Sequence, residues 1–147
     1  MGWELTVHIE GSLQSADHVL RRLSAEGIKV LAHSCSSYFG GVNLLLVTEN
    51  VDTACAAVRD AGYKCATKAI IWVVAPCRVG LAAALGERLR DEGIGILYTY
   101  GSWDSWPRAV FVFKTSDDVL AFHVLTDTYE DLLRTHRTAT WLASLAK

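Results

Sequence analysis

The sequence predicts an α+β chain of two βαββαβ units with antiparallel sheets, followed by a C-terminal helical extension. Three observations carry this. The chain matches itself without a gap at an offset of 66 residues. Each half alternates short apolar runs with amphipathic stretches in the same order. Gly27 and Gly93 stand at equivalent helix ends. In the self-match Ala25-Glu26-Gly27-Ile28 falls on Asp91-Glu92-Gly93-Ile94, and Arg22-Leu23 on Arg88-Leu89. Val7 falls on Val73, Leu31 on Leu97 and Asp52 on Asp118. Such a repeat is longer than solenoid periods and long enough for a small domain. The units are expected over 1–68 and 69–147.

Trp3, Leu5, Val7 and Ile9 alternate with Glu4, Thr6, His8 and Glu10, the period of a half-buried strand. Gly11-Ser12 breaks the run. Ser15 is a candidate N-cap with Asp17 in the first turn. Val19, Leu20 and Leu23 share a helical face, and Gly27 stops the helix. Residues 29–37 read as a second strand. Gly40-Gly41 makes a turn into a third strand from Val42 to Val47. Asn50 caps a second helix that carries Ala54, Ala57 and Val58 inward and ends at Gly62. Residues 64–68 form a short fourth strand.

The second unit follows without a linker. Ile70 to Ala75 is a strand, and Pro76 cannot continue it in a central position. Gly80 opens a helix with Leu81, Leu85 and Leu89 at four-residue spacing, stopped by Gly93. Ile94 to Gly101 is a strand, Ser102 to Pro107 a turn flanked by Trp103 and Trp106, and Arg108 to Lys114 a strand. Ser116 caps a helix to about Val124. From Asp127 to Lys147 the chain departs from the first unit. It reads mostly as helix, although Thr138 to Leu142 fits a fourth strand. The strands around Leu45, Trp72 and Phe111 are apolar on both faces. A sheet with helices on one side only should be polar on the other, so something must cover that second face: the other unit or another chain.

Halves of about 70 residues are marginal alone, so a shared core is expected. The 147 residues are 51% hydrophobic and 20% charged, with mean hydropathy +0.22. This excess of apolar residues predicts a homodimer or larger assembly. No apolar run reaches the roughly 18 residues of a membrane span, and the first residues lack a signal-peptide pattern. Cys35, Cys55, Cys65 and Cys77 include no CxxC pair, which speaks against zinc and redox motifs. They read as free thiols of a cytoplasmic protein. A net charge of −2 argues against a general nucleic-acid binder. No cofactor is called for.

A duplicated βαββαβ unit with helix-ending Glu-Gly-Ile resembles the ACT domain family, over residues 3 to about 125. The strongest segment is Val74-Ala75-Pro76-Cys77-Arg78-Val79-Gly80-Leu81, followed by Asp91-Glu92-Gly93-Ile94 and Ile96-Leu97-Tyr98-Thr99-Tyr100. The tandem arrangement is similar to small stand-alone double-ACT proteins. The resemblance implies ferredoxin-like units that bind an amino acid or a similar zwitterion as a regulatory effector. In that family the first loop carries an acidic or amide residue, a variable one, Pro and Gly. This chain keeps Gly80 but has Cys77 at the first position and Val79 in place of Pro.

The resemblance places the effector at Cys77, Arg78, Val79, Gly80 and Leu81, against Tyr98 and Tyr100 of the adjoining strand. The general physics agrees, because a helix N-terminus has unpaired amide donors and glycine admits close approach. Gly11, Ser12 and Leu13 are the equivalent loop of the first unit, without a glycine at the Gly80 position. The plain alternatives are a tight turn at Gly80 and rim aromatics at Tyr98 and Tyr100. Cys77 beside Arg78, and Cys35 two residues from His33, offer thiol chemistry, against which stand spectator thiols. His8 and His33 lie on strands separated by a third, a poor geometry for a metal.

Three function classes follow. The leading one is a non-catalytic regulatory protein that binds a small effector. The second is an RNA-binding module of the same element order, which needs aromatic and basic residues on an open sheet face. The third is a ferredoxin-like dimeric enzyme with a Cys/His pocket, unsupported by paired carboxylates or a nucleophile–base motif.

Overall fold

Apolar alternation from Gly2 to Glu10 produces the first strand, β1 (Gly2–Glu10). The order then runs α1 (Leu13–Ala25), β2 (Val30–Tyr38), β3 (Gly41–Thr48), α2 (Val51–Asp60) and β4 (Lys64–Pro76). It continues with α3 (Leu81–Asp91), β5 (Ile96–Ser105), β6 (Arg108–Thr115) and a helix over 118–127, α4. The computed structural model describes residues 1–76, 79–105 and 108–127. Cys77, Arg78, Trp106, Pro107 and the C-terminal extension from Thr128, including the alternative strand at Thr138 to Leu142, lie outside them.

The strands form one six-stranded sheet in the order β2-β3-β1-β4-β6-β5. Every neighbouring pair is antiparallel. The sequence reads as a strand at 64–68 and another at 70–75, with 64–75 running out of one sheet and into the other; the structure makes them one continuous strand. The N-terminal part of β4 pairs with β1, from His8 opposite Lys64 to Gly2 opposite Ile70. Its C-terminal part pairs with β6, from Ile71 opposite Phe113 to Pro76 opposite Arg108. The expected boundary at 68/69 therefore falls inside a continuous strand. Pro76 sits at its last position, where a missing amide costs least.

Three apolar clusters order the chain into layers. Leu5, Val7 and Ile9 of β1 and Val42, Leu44 and Leu46 of β3 pack under α1 and α2. Ile71, Ala75 and Phe113 pack under α3 and α4, where Leu85, Leu89, Ala121 and Leu125 are buried. The third cluster joins Ala32 and Val47 to Ile70, Val110 and Val112, with Trp72 and Tyr100 against it. It lies on the faces turned away from the helices. The sheet folds over along β4, so that β2 and β5 at its opposite ends meet. The apolar second face is thus covered from within the chain. Phe111 packs on the helix side.

The helix ends show which local signals held. Gly27, Gly62 and Gly93 all have positive φ, at 70°, 86° and 72°. In each case the following amide bonds back five residues: Ile28 to Leu23, Tyr63 to Val58 and Ile94 to Leu89. This is the glycine-terminated cap that only a residue without Cβ adopts cheaply. Offset by 66 residues, Arg22–Glu26 and Arg88–Glu92 form matching exposed ion pairs at 2.5 and 3.0 Å.

The helix N-termini follow the local signals at one of three places. Asn50 does cap α2, accepting from Thr53 N at 3.0 Å. However, α1 begins at Leu13 with Ser12 as N-cap, and the Ser15 amide donates to Ser12 O. Ser116 does not cap α4. Asp117 does, accepting from the amides of Val119 and Leu120, while Ser116 Oγ accepts from Gly95 N.

Asp118 binds the sheet to α4. It accepts from Thr115 N at 3.0 Å and Thr115 Oγ1 at 2.8 Å, and pairs with Lys114. Lys114 Nζ also donates to Ala69 O at 3.0 Å. Partial burial alone would raise the Asp118 carboxyl, but these hydrogen bonds and the Lys114 charge hold it below the ordinary range. A depressed carboxyl stabilises the fold above its unfolded pKa, and that contribution is lost as pH falls through the folded value. Asp118→Asn should therefore cost about 1–3 kcal/mol at neutral pH and flatten the acid branch below about pH 4. Urea midpoints at pH 7 and pH 3 check this. An equal deficit at both would contradict it.

Candidate functional site

The loop before α3 is the first candidate. Gly80 is the N-cap of α3, with φ of 83°. A Cβ added there would meet nothing within 4 Å. Val79 projects fully into solvent, while Leu81 is buried and anchors the first turn. Gly80 makes no side-chain cap, and no acidic residue stands in the first turn. The same is true of α1 behind Gly11, Ser12 and Leu13. In contrast, α2 and α4 have Asn50 and Asp117 accepting from their first amides. The first helix of each half thus presents amide donors that no side chain of its N-cap or first turn occupies.

Tyr98 and Tyr100 lie elsewhere. Both are on the face of β5 turned toward the other half of the sheet. Tyr98 Oη donates to Glu4 Oε1 at 2.7 Å and Tyr100 Oη to Glu4 Oε2 at 2.9 Å. Their rings stack with centroids 6.5 Å apart. Glu4 is fully buried, and Thr6 Oγ1 adds a longer contact at 3.4 Å. Tyr100 stands opposite Val112, itself opposite Trp72. That is four positions along β4 from Pro76, or about 13 Å at strand spacing. The two tyrosines are brought together with Glu4 and held apart from the Gly80 loop. No sequence pattern pointed to Glu4: it reads as the polar side of an alternating strand, and only the folded-over sheet buries it.

A hollow lies between the two halves of the sheet. It is a cavity of about 380 Å³, within the range of small-molecule sites. Its walls are Leu31, Trp72, Val74 and Val110. Lys29, Glu49 and Arg108 stand at its mouth, all exposed. Lys29 Nζ lies 3.5 Å from a Glu49 carboxylate oxygen. Thr48 also lines it, with only 8% of the residue accessible. The Thr48 hydroxyl is buried without a hydrogen-bond partner.

The thiols and histidines form no catalytic pair among the described residues. His33 and Cys35 share a strand face and are both exposed. Desolvation pushes the Cys35 thiol up, away from the reactive thiolate. Cys55 and Cys65 approach each other between α2 and β4. Desolvation and the Cys55 contact push Cys65 up to about 11. His8 bonds to Asn43, and His18 to Tyr63. Among the described residues no three His, Cys, Asp or Glu side chains gather as a metal would require, and no helix is long and apolar enough to cross a membrane.

No family profile and no curated protein matches the sequence. Solved structures do match the fold. Protein BT0572 from Bacteroides thetaiotaomicron superposes with a TM-score of 0.76 at 20% identity, over 86% of this chain and 88% of that one. The regulatory subunit of aspartate kinase from Thermus thermophilus, in its ligand-free form, gives 0.64 at 15% identity, over 86% and 92%. The corresponding subunit from Thermus flavus gives 0.55 at 15% identity, over 86% and 96%. The chain shares the α+β fold of these proteins, built on an antiparallel sheet.

The Glu4 cluster has a spectroscopic signature. Burial first, then the Glu4 carboxylate, push both tyrosine hydroxyls well above their ordinary pKa. A raised folded pKa contributes stability that is present below the unfolded value and lost as pH rises through the folded one. Tyr98 and Tyr100 should stay protonated above about pH 10 until the chain unfolds. Alkaline titration at 295 nm should show this as a late step in native protein. The step should vanish in the Tyr98→Phe, Tyr100→Phe double variant. A single ordinary tyrosine titration in native protein would contradict it.

Proposed function

We propose that this chain is a non-catalytic regulatory protein that binds a small zwitterionic effector such as an amino acid. One observation carries the reading. The N-termini of α1 and α3 lack both a side-chain cap and a first-turn acid, while α2 and α4 have caps. An effector carboxylate suits such a terminus, which combines amide donors with the positive end of the helix dipole. The site is placed at Cys77 to Leu81, with Gly11 to Leu13 as its equivalent. Tyr98 and Tyr100 serve it indirectly in this proposal, by fixing the sheet that carries α3.

The same proposal takes 1–68 and 69–147 as two copies of one unit. The matching glycine caps and ion pairs at offset 66 support it. The protein works in the cytoplasm as a homodimer, with exposed Val79, Leu97 and Phe39 contributing apolar contact surface. The RNA-binding alternative loses its open face, because the side of the sheet away from the helices is packed on itself. The thiol-enzyme alternative loses a ready nucleophile at Cys35.

A thermal-shift screen against the twenty amino acids should give a concentration-dependent rise in Tm for at least one. Gly80→Asn then tests the placement. Asparagine tolerates the left-handed backbone better than other side chains, and it sets a competing polar group at the amides. Affinity for the stabilising amino acid should fall by about tenfold or more, with an unchanged circular dichroism spectrum. Unchanged affinity would refute the site. Sedimentation equilibrium should give twice the 16.1 kDa chain mass, and a monomer at micromolar concentration would refute the dimer.

A further inference from the structure

We propose that Cys55 and Cys65 form a reversible thiol–disulfide pair, oxidised by small organic disulfides of the glutathione class, whose closure ties α2 to β4. It does not rest on the effector loop and shares no residue with it. The first support is geometry. Cys55 lies on α2, and Cys65 is the second residue of β4, opposite Val7 of β1. Their sulfurs stand 2.8 Å apart, and Cys65 Sγ also reaches the Cys55 carbonyl oxygen at 3.7 Å. A disulfide holds its sulfurs at about 2.05 Å, so closure needs an approach of under about 1 Å. Cys55 is buried in the apolar cluster under α1 and α2, and Cys65 packs against that cluster. The two elements therefore already sit where a disulfide would hold them.

The second is the self-match. At the offset of 66 residues Cys55 falls on Ala121, also buried, on α4. Alanine fills that place in the second half, so packing alone does not call for a thiol at 55. The third is access. Cys65 is partly exposed and Cys55 is buried, which sets the order of events. The Cys65 thiolate attacks one sulfur of the organic disulfide, and the first small thiolate leaves. Cys55 then gives up its proton and attacks the Cys65 sulfur, and the second small thiolate leaves. Two electrons pass from the pair to the organic disulfide, and the two protons shed by the protein end on the two small thiols. Desolvation and the Cys55 contact push Cys65 up to about 11, while the charge and hydrogen bond of Arg59 act the other way. Closure at neutral pH is therefore slow, on the order of minutes to hours. In a reducing compartment such a pair rests as thiols and closes when the thiol pool becomes oxidised.

The full chain carrying Cys35→Ser and Cys77→Ser, incubated with oxidised glutathione, tests this. Its mass should fall by about 2 Da, and trypsin should release residues 30–59 joined to 65–68. Dithiothreitol should separate the two peptides. The same joined peptides should appear from the unsubstituted chain. The oxidised form should melt about 5 °C or more above the reduced one. In the same background Cys55→Ala should leave one glutathione on Cys65, with an unchanged circular dichroism spectrum. Cys65→Ala should leave Cys55 unmodified in the native protein. Absence of the joined peptides would overturn the proposal, as would a glutathione adduct that persists on Cys65 while Cys55 is present. Modification of Cys55 in the Cys65→Ala variant would overturn the order of attack. A joined pair with an unchanged Tm would overturn the tie between α2 and β4.

Discussion

The packing of the sheet against itself is the constraint on which the rest of this structure depends. Two antiparallel half-sheets, each covered by helices on one side, would leave their other faces wet if they stood apart. Ala32, Val47, Ile70, Val110 and Val112 close that gap. The four larger residues, Val47, Ile70, Val110 and Val112, each contribute on the order of 1.5–3 kcal/mol when withdrawn from water. Strand β4 makes the closure possible. It leaves β1 at Ile70 and joins β6 at Ile71, so the two halves share a strand instead of a linker. A face-to-face arrangement is then reached without loop-closure entropy over a long connection.

Among the described residues, closure on this scale buries one carboxyl group, Glu4, and the chain compensates locally. Tyr98 and Tyr100 each donate one hydrogen bond, to separate oxygens of the same side chain. A buried acid so partnered is tolerated, whereas the same acid alone would be costly. The cluster also defines register. Glu4 belongs to β1 and the tyrosines to β5, strands not adjacent in the sheet. A slip of one residue in either strand would turn these groups to the wrong face. The mouth of the cavity, where Lys29, Glu49 and Arg108 stand, is where the same two faces part.

Helix capping divides along similar lines. Helices α2 and α4, which follow β3 and β6, are closed by Asn50 and Asp117. Helices α1 and α3, which follow β1 and β4, begin at glycine-containing loops without such groups. A structural helix gains about 1 kcal/mol from its cap. Forgoing it in equivalent places is consistent with a terminus kept open for a ligand carboxylate. The thiols of Cys55 and Cys65, set between α2 and β4, belong to the packing under those helices.

Local chemistry made much of this chain legible in its sequence. Strand alternation identified the helix-facing side of β1, the glycines after Ala25, Asp60 and Asp91 positioned three helix ends, and Asn50 announced its own cap. These signals act within one or two turns of chain, so the residues that produce them lie side by side in the text. The start of α3 at Gly80 was legible for the same reason, since glycine directly precedes the leucine-periodic run. Long-range contacts were not legible. Trp3 alternates as an inward residue yet is 55% exposed, whereas Glu4 beside it is fully buried. Nothing within ten residues of Glu4 signals Tyr98 or Tyr100, and nothing near Thr48 signals Trp72 or Arg108. Their juxtaposition exists only once β4 carries the chain from one half-sheet to the other. The sequence by itself determined the order of the elements and the glycine-marked C-terminal ends of three helices. Which faces became interior, and where a cavity opened between them, was decided by the tertiary fold, because burial depends on the surface opposite, contributed by residues distant in the chain.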